Sequence, residues 1–140
     1  DITYKVSQLA RAAGVGVETV RYYEREGLLP VPLRRSAVHH KGYRIYDAQD
    51  LRRLRFIVRA KELGFTLKEV AALLALRAEG PDACDAVRTE AQRHLDDVEA
   101  RLRDLQRIRN ALRRLVAECA HSDAACPILD FLDQKKMSPP

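Results

Sequence analysis

Residues 6–27 read Val6-Ser-Gln-Leu-Ala-Arg-Ala-Ala-Gly-Val-Gly-Val-Glu-Thr-Val-Arg-Tyr-Tyr-Glu-Arg-Glu-Gly27. The first part of this stretch, with the two residues before it, places apolar residues at helical spacing up to residue 13. Gly14 and Gly16 then interrupt the pattern, and a second helix is predicted from Glu18 to Glu26, with Gly27 as the glycine that ends it. Two short helices joined by a glycine-containing turn predict a helix-turn-helix.

The residues that follow this motif predict a wing and two further helices. The basic segment 34–41 leads into Gly42-Tyr-Arg-Ile-Tyr46, whose alternation is typical of a short strand and suits a β-wing. Asp47 is a suitable N-cap for a helix over roughly 48–63, and Thr66 is a suitable N-cap for the next helix. We therefore expect a winged helix-turn-helix head.

A long amphipathic helix follows the boundary at Glu79-Gly80-Pro81. Apolar residues recur every seven positions in two seams, which are Ala91, Val98, Leu105 and Leu112, and Leu95, Leu102 and Val116. Arg109 interrupts the second seam. About four heptads favour a coiled coil and hence a homodimer over a lone helix packed on its own head, although the pattern alone leaves parallel and antiparallel pairing open.

The three cysteines of the chain favour the antiparallel arrangement. If residues 83–118 form one helix, Cys84 and Cys119 are about 50 Å apart at roughly 1.5 Å per residue, too far to share a ligand within one chain. Antiparallel pairing brings Cys84 of one copy beside Cys119 and Cys126 of the other. The sequence thus predicts a mainly α protein, with a winged helix-turn-helix DNA-binding head at 1–79, an antiparallel coiled-coil dimerisation helix at 80–118 and a metal-binding loop, short helix and tail at 119–140.

Two of these thiols are expected at helix N-termini, where the helix dipole favours a thiolate. Cys84 lies in the first turn of the long helix, and Cys126 precedes Pro127, a residue suited to the first position of a helix. The alternative for each cysteine is a buried and inert side chain.

Composition excludes several other classes of protein. The 140-residue chain has 25 Lys and Arg against 20 Asp and Glu, and no apolar run approaches the ~20 residues of a membrane span. An odd number of cysteines without a signal-peptide pattern predicts a cytoplasmic protein with reduced thiols. We expect no enzyme, because no catalytic triad, paired carboxylates or phosphate loop occurs, and Gly14-Val-Gly16 fits a turn.

Four motifs carry a family resemblance, namely Val6-Ser-Gln-Leu-Ala-Arg-Ala-Ala-Gly14, Val17-Glu-Thr-Val-Arg-Tyr-Tyr-Glu24, Gly42-Tyr-Arg-Ile-Tyr46 and Leu63-Gly-Phe-Thr-Leu67. They resemble the MerR family of transcription regulators, and the resemblance continues through the coiled coil to the distal cysteines. The trio Cys84, Cys119 and Cys126 is similar to the subgroup that senses Hg²⁺, Cd²⁺, Pb²⁺ or Zn²⁺, with Cys84 supplied by the partner chain at each end of the dimer. Copper-type members typically have Ser where Cys84 stands, and the four-Cys cluster of the iron–sulfur members is absent.

The resemblance also implies which residues contact DNA. They are Thr19, Arg21, Tyr22 and Tyr23 on the recognition helix, Tyr43, Arg44 and Tyr46 in the wing, and Arg59 and Lys61 in a second wing. Arg21 suits a guanine edge or a phosphate, and the phenol of Tyr23 suits a phosphate. Core packing is an equal alternative for Tyr22. Val58 stands where many relatives carry a basic residue.

The identity of the metal stays open at this point. Three sulfurs suit trigonal Hg²⁺ or Pb²⁺, whereas His121, Asp123 or a water molecule would complete a tetrahedron for Zn²⁺ or Cd²⁺. The segment between Cys119 and Cys126 resembles cadmium-type members in its shortness, while the head resembles mercury- or zinc-type members. His39-His40 fits a basic loop near DNA better than a metal site.

The resemblance implies a homodimer on a palindromic operator, in a promoter whose spacer is too long for RNA polymerase. Metal binding would distort the DNA and so activate transcription. Two alternatives remain: a related regulator that responds to an organic or redox signal, and a metal-storage or chaperone dimer.

Overall fold

The computed structural model describes residues 2–32, 44–119 and 126–134, and these are mainly helical. The helices are α1 (Val6–Ala13), α2 (Val17–Arg25), α3 (Ala48–Glu62), α4 (Leu67–Glu79), α5 (Cys84–Cys119) and α6 (Pro127–Asp133), with a 3-10 turn at Pro81–Ala83 before α5. The chain forms two compact units, Asp1–Glu90 and Ala91–Pro140. In the described ranges, no helix combines the length and the apolar character that a membrane crossing requires.

The predicted helix-turn-helix is confirmed as α1 and α2. Gly14 adopts a left-handed conformation (φ 76°), which favours glycine, and its N–H bonds to the carbonyls of Ala10 and Arg11. Gly16 is extended and is the N-cap of α2. α2 ends at Arg25, one residue earlier than predicted, and Gly27 has a positive φ of 77°.

The predicted N-caps of α3 and α4 are also confirmed. The Asp47 side chain accepts the N–H of Asp50 at 2.9 Å, and the Thr66 hydroxyl accepts the N–H of Glu69 at 3.1 Å. In both cases the residue at the third helical position returns a bond to the backbone N–H of the cap. These reciprocal bonds satisfy donors that a helix N-terminus otherwise leaves without a partner.

The core of the first unit lies where α1, α2, α3 and α4 supply apolar side chains. Its largest fully buried side chains are Tyr46, Leu9, Leu29, Leu54, Ile57, Val20 and Val70. Truncating one of the aliphatic members to Ala typically costs about 2–5 kcal/mol of folding free energy. Because Val20 of α2 belongs to this core, the packing holds the recognition helix in its orientation.

In its described part, the strand predicted at 42–46 consists of isolated bridge residues at Arg44 and Tyr46 and is not a continuous strand. Tyr46 and Tyr4 exchange two backbone hydrogen bonds of 2.8 Å each. The partner of Tyr46 thus lies in the segment before α1. The alternation within residues 42–46 could not predict this pairing, because it contains no information about residues elsewhere in the sequence. Residues 42 and 43 lie outside the described ranges.

Helix α5 is 36 residues long and carries many exposed apolar side chains. Both predicted seams contribute to them, and the large residues at least 48% exposed are Leu95, Leu102, Leu105, Ile108, Leu112 and Val116. An apolar stripe of this length is unusual on a solvent-facing helix and is typical of a coiled-coil seam.

Candidate metal centre and DNA-reading surface

The recognition helix α2 separates its predicted DNA contacts into an outer and an inner set. Arg21 and Tyr22 are exposed and Thr19 is half-buried, whereas Tyr23 is buried. The rings of Tyr22 and Tyr23 contact each other at 49°, with centroids 5.7 Å apart. Burial raises the pKa of Tyr23, with a smaller contribution from Tyr22. Of the two tyrosines, the inner one packs in the core and the outer one is available to DNA.

Tyr46 does not fit its predicted role as a DNA contact. Its side chain is 1% exposed, and its hydroxyl donates a 2.7 Å hydrogen bond to Oε2 of Glu24. Burial, followed by the bond to the Glu24 carboxylate, raises the pKa of Tyr46. A phenol enclosed in this way cannot reach a phosphate, so the prediction is corrected to a structural role.

Glu24 is a residue of this surface that the sequence analysis missed. It is buried on α2, and its Oε1 lies 3.7 Å from Nη1 of Arg44, a predicted wing residue that is exposed. One signal in the sequence could have revealed it. Glu24 follows the buried Val20 by four residues and so shares its helix face, where a carboxylate needs polar partners.

The second-wing candidates differ in their surroundings. Arg59 is exposed near the end of α3, whereas Nζ of Lys61 donates a 3.0 Å hydrogen bond to the carbonyl of Phe65. Val58 is half-buried against the core. Tyr43 and His39-His40 lie outside the described residues, so their predicted roles stay predictions.

The structure brings two of the three cysteines together. Sγ of Cys119, at the end of α5, lies 3.8 Å from Sγ of Cys126. Cys126 is the N-cap of α6, with Pro127 at the first helical position as predicted. The backbone N–H of Leu129 lowers the pKa of Cys126, with smaller contributions from Cys119 and the N–H of Ile128, and the bond to Cys126 raises the pKa of Cys119. The N-terminus of α6 therefore favours the deprotonated form of Cys126 over that of Cys119.

Cys84 is exposed at the first residue of α5. A helix of 36 residues is about 50 Å long at roughly 1.5 Å per residue, so Cys84 and Cys119 stand at its opposite ends. Among the residues that the structure describes, a single chain gathers no group of three possible metal ligands. His121 and Asp123 lie outside these ranges.

A helix-turn-helix whose second helix exposes Arg21 and Arg25, followed by a long helix with two apolar seams, is typical of a DNA-binding regulator. Comparison with known proteins agrees. The profile of the MerR HTH family regulatory protein matches residues 4–76, and that of the MerR DNA-binding segment matches residues 51–115. The chain belongs to the MerR family of transcription regulators.

Its relatives include HTH-type transcriptional regulators and regulators of mercuric resistance operons. The chain is 36% identical to the HTH-type transcriptional regulator ZntR of Escherichia coli K12 over 135 residues, covering 94% of this chain and 93% of ZntR. It is 37% identical to the mercuric resistance operon regulatory protein of Bacillus cereus over 134 residues, covering 94% and 98%.

Solved structures of similar proteins share the fold. PbrR691 from Ralstonia metallidurans CH34, in complex with lead(II), has a TM-score of 0.76 at 32% identity, covering 92% of this chain and 98% of its own. MerR from Bacillus megaterium MB1, in complex with mercury(II), has a TM-score of 0.70 at 34% identity, covering 94% and 100%. HiNmlR, a family member bound to promoter DNA, has a TM-score of 0.58 at 25% identity, covering 83% and 85%.

Proposed function

We propose that this protein is a metal-responsive transcription regulator. It binds a palindromic promoter operator as a homodimer, and a divalent soft metal ion at Cys84, Cys119 and Cys126 converts the complex into an activator. The observation that carries the proposal is the Cys119–Cys126 pair at 3.8 Å, at the opposite end of one helix from Cys84. Two cysteine sulfurs at this distance supply two of the three expected ligands, and a second copy is the natural source of the third sulfur.

The seams of α5 support the homodimer. Their leucines are about half exposed, and pairing two helices removes them from water at about 25 cal/mol per Å² of apolar surface. Cys84 and Cys119 are five heptads apart, so both occupy the seam that contains Ala91, Val98 and Leu105. The same face that dimerises thus presents both thiols.

An antiparallel pair that apposes the two seams has a favourable alignment. It matches Leu95 with Leu112, Leu102 with Leu105, and Val116 with Ala91 of the second copy. The same alignment puts Cys119 of one copy opposite Arg88 of the other, one helical turn from Cys84. The apolar pattern and the cysteine spacing therefore favour one register, with a site at each end of the dimer.

The donor set favours soft divalent ions. Thiolates bind Hg²⁺, Pb²⁺, Cd²⁺ and Zn²⁺, and two similar proteins of known structure hold lead(II) and mercury(II). Cys84, Cys119 and Cys126 would supply a trigonal set, with His121, Asp123 or a water molecule as a fourth ligand for Zn²⁺ or Cd²⁺.

Activation would act through the DNA. Thr19, Arg21 and Tyr22 would lie in the major groove, with Arg44 and Arg59 on the backbone. Distorting a promoter so that RNA polymerase engages it costs on the order of 1–6 kcal/mol for smooth bends. The metal must therefore bind the distorted complex more tightly than the undistorted one by a comparable free energy.

The test is a competitive titration of Hg²⁺, Pb²⁺, Cd²⁺ and Zn²⁺ into the reduced protein, followed by thiolate-to-metal absorbance. We expect two ions per dimer and loss of the band in Cys84→Ser, Cys119→Ser and Cys126→Ser. Each variant should also lose metal-induced transcription and keep operator binding, because the thiols are remote from α2 in sequence. A wild-type protein without the band would contradict the proposal and favour the organic or redox signal. Tight metal binding without a specific operator footprint would favour a storage dimer.

A further inference from the structure

A buried carboxylate joins the recognition helix to the described part of the predicted wing, residues 44–46. The Glu24 side chain is 4% exposed, and it uses its two oxygens differently. Oε2 accepts the Tyr46 hydroxyl at 2.7 Å, and Oε1 lies 3.7 Å from Nη1 of Arg44. Tyr46 is in turn bridged to Tyr4 through two backbone bonds. The carboxylate therefore links α2 to residues 44–46, and the backbone of Tyr46 links these residues to the segment before α1.

Packing alone does not account for Glu24. Val20, one turn earlier on the same face, is fully buried and apolar, and an apolar residue at position 24 would avoid the cost of desolvating a charge. The carboxylate provides directionality that an apolar side chain lacks. It holds a phenol on one oxygen and a guanidinium on the other, so the position of Arg44 relative to α2 is specified.

Arg44 is the member of this group that faces outward. Its side chain is 42% exposed, in contrast to Glu24 and Tyr46. An arginine side chain carries about 2 kcal/mol of rotamer entropy, and a partner that orders it beforehand reduces what is lost when it binds a phosphate. The ion pair leaves part of the guanidinium fork free to donate to another acceptor.

We propose that Glu24 is a positioning residue for DNA binding, which fixes Arg44 so that its guanidinium meets a phosphate while α2 occupies the groove. The proposal rests on the DNA contact proposed for Arg44. Glu24 itself does not touch DNA. It acts through Arg44, and through Tyr46 it fixes the base of the wing against the recognition helix.

A double-mutant cycle on operator affinity tests the proposal. Glu24→Gln keeps an acceptor for the Tyr46 hydroxyl and removes the charge that orients Arg44. Affinity for an operator duplex is measured by fluorescence anisotropy at several salt concentrations, for Glu24→Gln, Arg44→Gln and the double variant. Glu26→Gln is the matched control, because it removes the same charge from an exposed position at the end of α2.

We expect Arg44→Gln to lower the salt slope of log K by about 2, because the homodimer loses one phosphate contact in each copy. Glu24→Gln should weaken binding by roughly three- to tenfold relative to Glu26→Gln, and by less than about twofold when Arg44 is already Gln. Equal losses in both backgrounds would show a merely structural role and overturn the proposal. Tighter binding by Glu24→Gln than by Glu26→Gln would show that Glu24 competes with DNA for Arg44, which also contradicts it.

A second variant keeps the test decisive if Glu24→Gln does not fold. Glu24→Asp retains the charge and shortens the side chain by one methylene. We expect a smaller loss of affinity that again disappears in the Arg44→Gln background. A loss that persists there would overturn the proposal. An unchanged affinity, with wild-type salt slope, would equally contradict a requirement for this geometry.

The Arg44→Gln variant also separates this inference from the function on which it rests. If Arg44→Gln leaves affinity and salt slope unchanged, the proposed DNA contact of Arg44 fails, and the role of Glu24 fails with it. If Arg44→Gln weakens binding and Glu24→Gln does not, the contact stands and only the positioning role is overturned.

Discussion

Tyr46 lies in the core of the first unit with its hydroxyl group bonded to Glu24. The residue type predicted the chemistry of this side chain, but it did not predict whether the side chain lies in the core or on the surface. A tyrosine in a basic, strand-like segment suits a phosphate contact, and so does Arg44 two residues earlier. The fold gives the inner place to the phenol and the outer place to the guanidinium, because only the ring adds substantial apolar area to the core.

The Tyr46 hydroxyl makes stability depend on pH at the alkaline end. Its pKa is raised above the ordinary value of 10.0, so the folded state holds the proton more tightly than the unfolded state. The contribution is fully present below about pH 10 and is lost as the pH rises further. We expect the free energy of unfolding to fall more steeply above about pH 10 in the wild type than in Tyr46→Phe.

At neutral pH, Tyr46→Phe should cost about 1–3 kcal/mol, because it leaves the buried Glu24 carboxylate without its donor. Chemical denaturation at a series of pH values measures both effects. Tyr22→Phe is the control, because its ring is 40% exposed. If the free energy of unfolding depends on pH in the same way in the wild type and in Tyr46→Phe, the loss of stability at alkaline pH does not come from Tyr46.

At the scale of elements, the features that depend on a few neighbouring residues could be predicted from the sequence. The caps at Asp47 and Thr66 and the helix end at Gly14 follow from local hydrogen bonding and backbone conformation. The Tyr4–Tyr46 bridge and the Glu24–Tyr46 bond join residues far apart in the sequence, and no periodicity encodes them. The Cys119–Cys126 pair was predicted as a pair because the segment between them is short.

Helix α5 carries the prediction that belongs to elements. Leu102 lies in the middle of the seams and is 53% exposed in the single chain. Leu102→Glu places a carboxylate in each copy at the centre of the pair, so we expect the dimer dissociation constant to rise by at least about a hundredfold. Analytical ultracentrifugation over a range of concentrations measures the change.

The neighbouring Arg103 provides the matched control, because it is exposed and lies outside both seams. Arg103→Glu should dimerise like the wild type, although it changes the net charge of the chain more than Leu102→Glu does. Circular dichroism confirms that each variant keeps its helices. A dimer that survives Leu102→Glu unchanged would contradict the proposed seam.

At the scale of the whole molecule, orientation of the two helices determines what the cysteines can do. In a parallel homodimer identical residues face each other, so Arg109 would meet Arg109 in the seam. In the antiparallel alignment Arg109 lies beside Val98 of the second copy, next to Glu99. The residue that interrupts the heptads thus favours the arrangement in which the metal ligands meet.

The central claim is that each metal site draws Cys84 from one copy and the pair Cys119 and Cys126 from the other. Complementation in a heterodimer measures this directly. Cys84→Ser and the double variant Cys119→Ser/Cys126→Ser are co-expressed with different affinity tags, purified in succession, and titrated with Hg²⁺ in the presence of a competing thiol.

Neither parent homodimer contains a complete site, whether the site forms within one chain or between two. The heterodimer regains one complete site only if the site is shared between the copies. We predict one tightly bound Hg²⁺ per heterodimer and none in either parent under the same competition. A heterodimer that binds no more tightly than its parents would contradict the account.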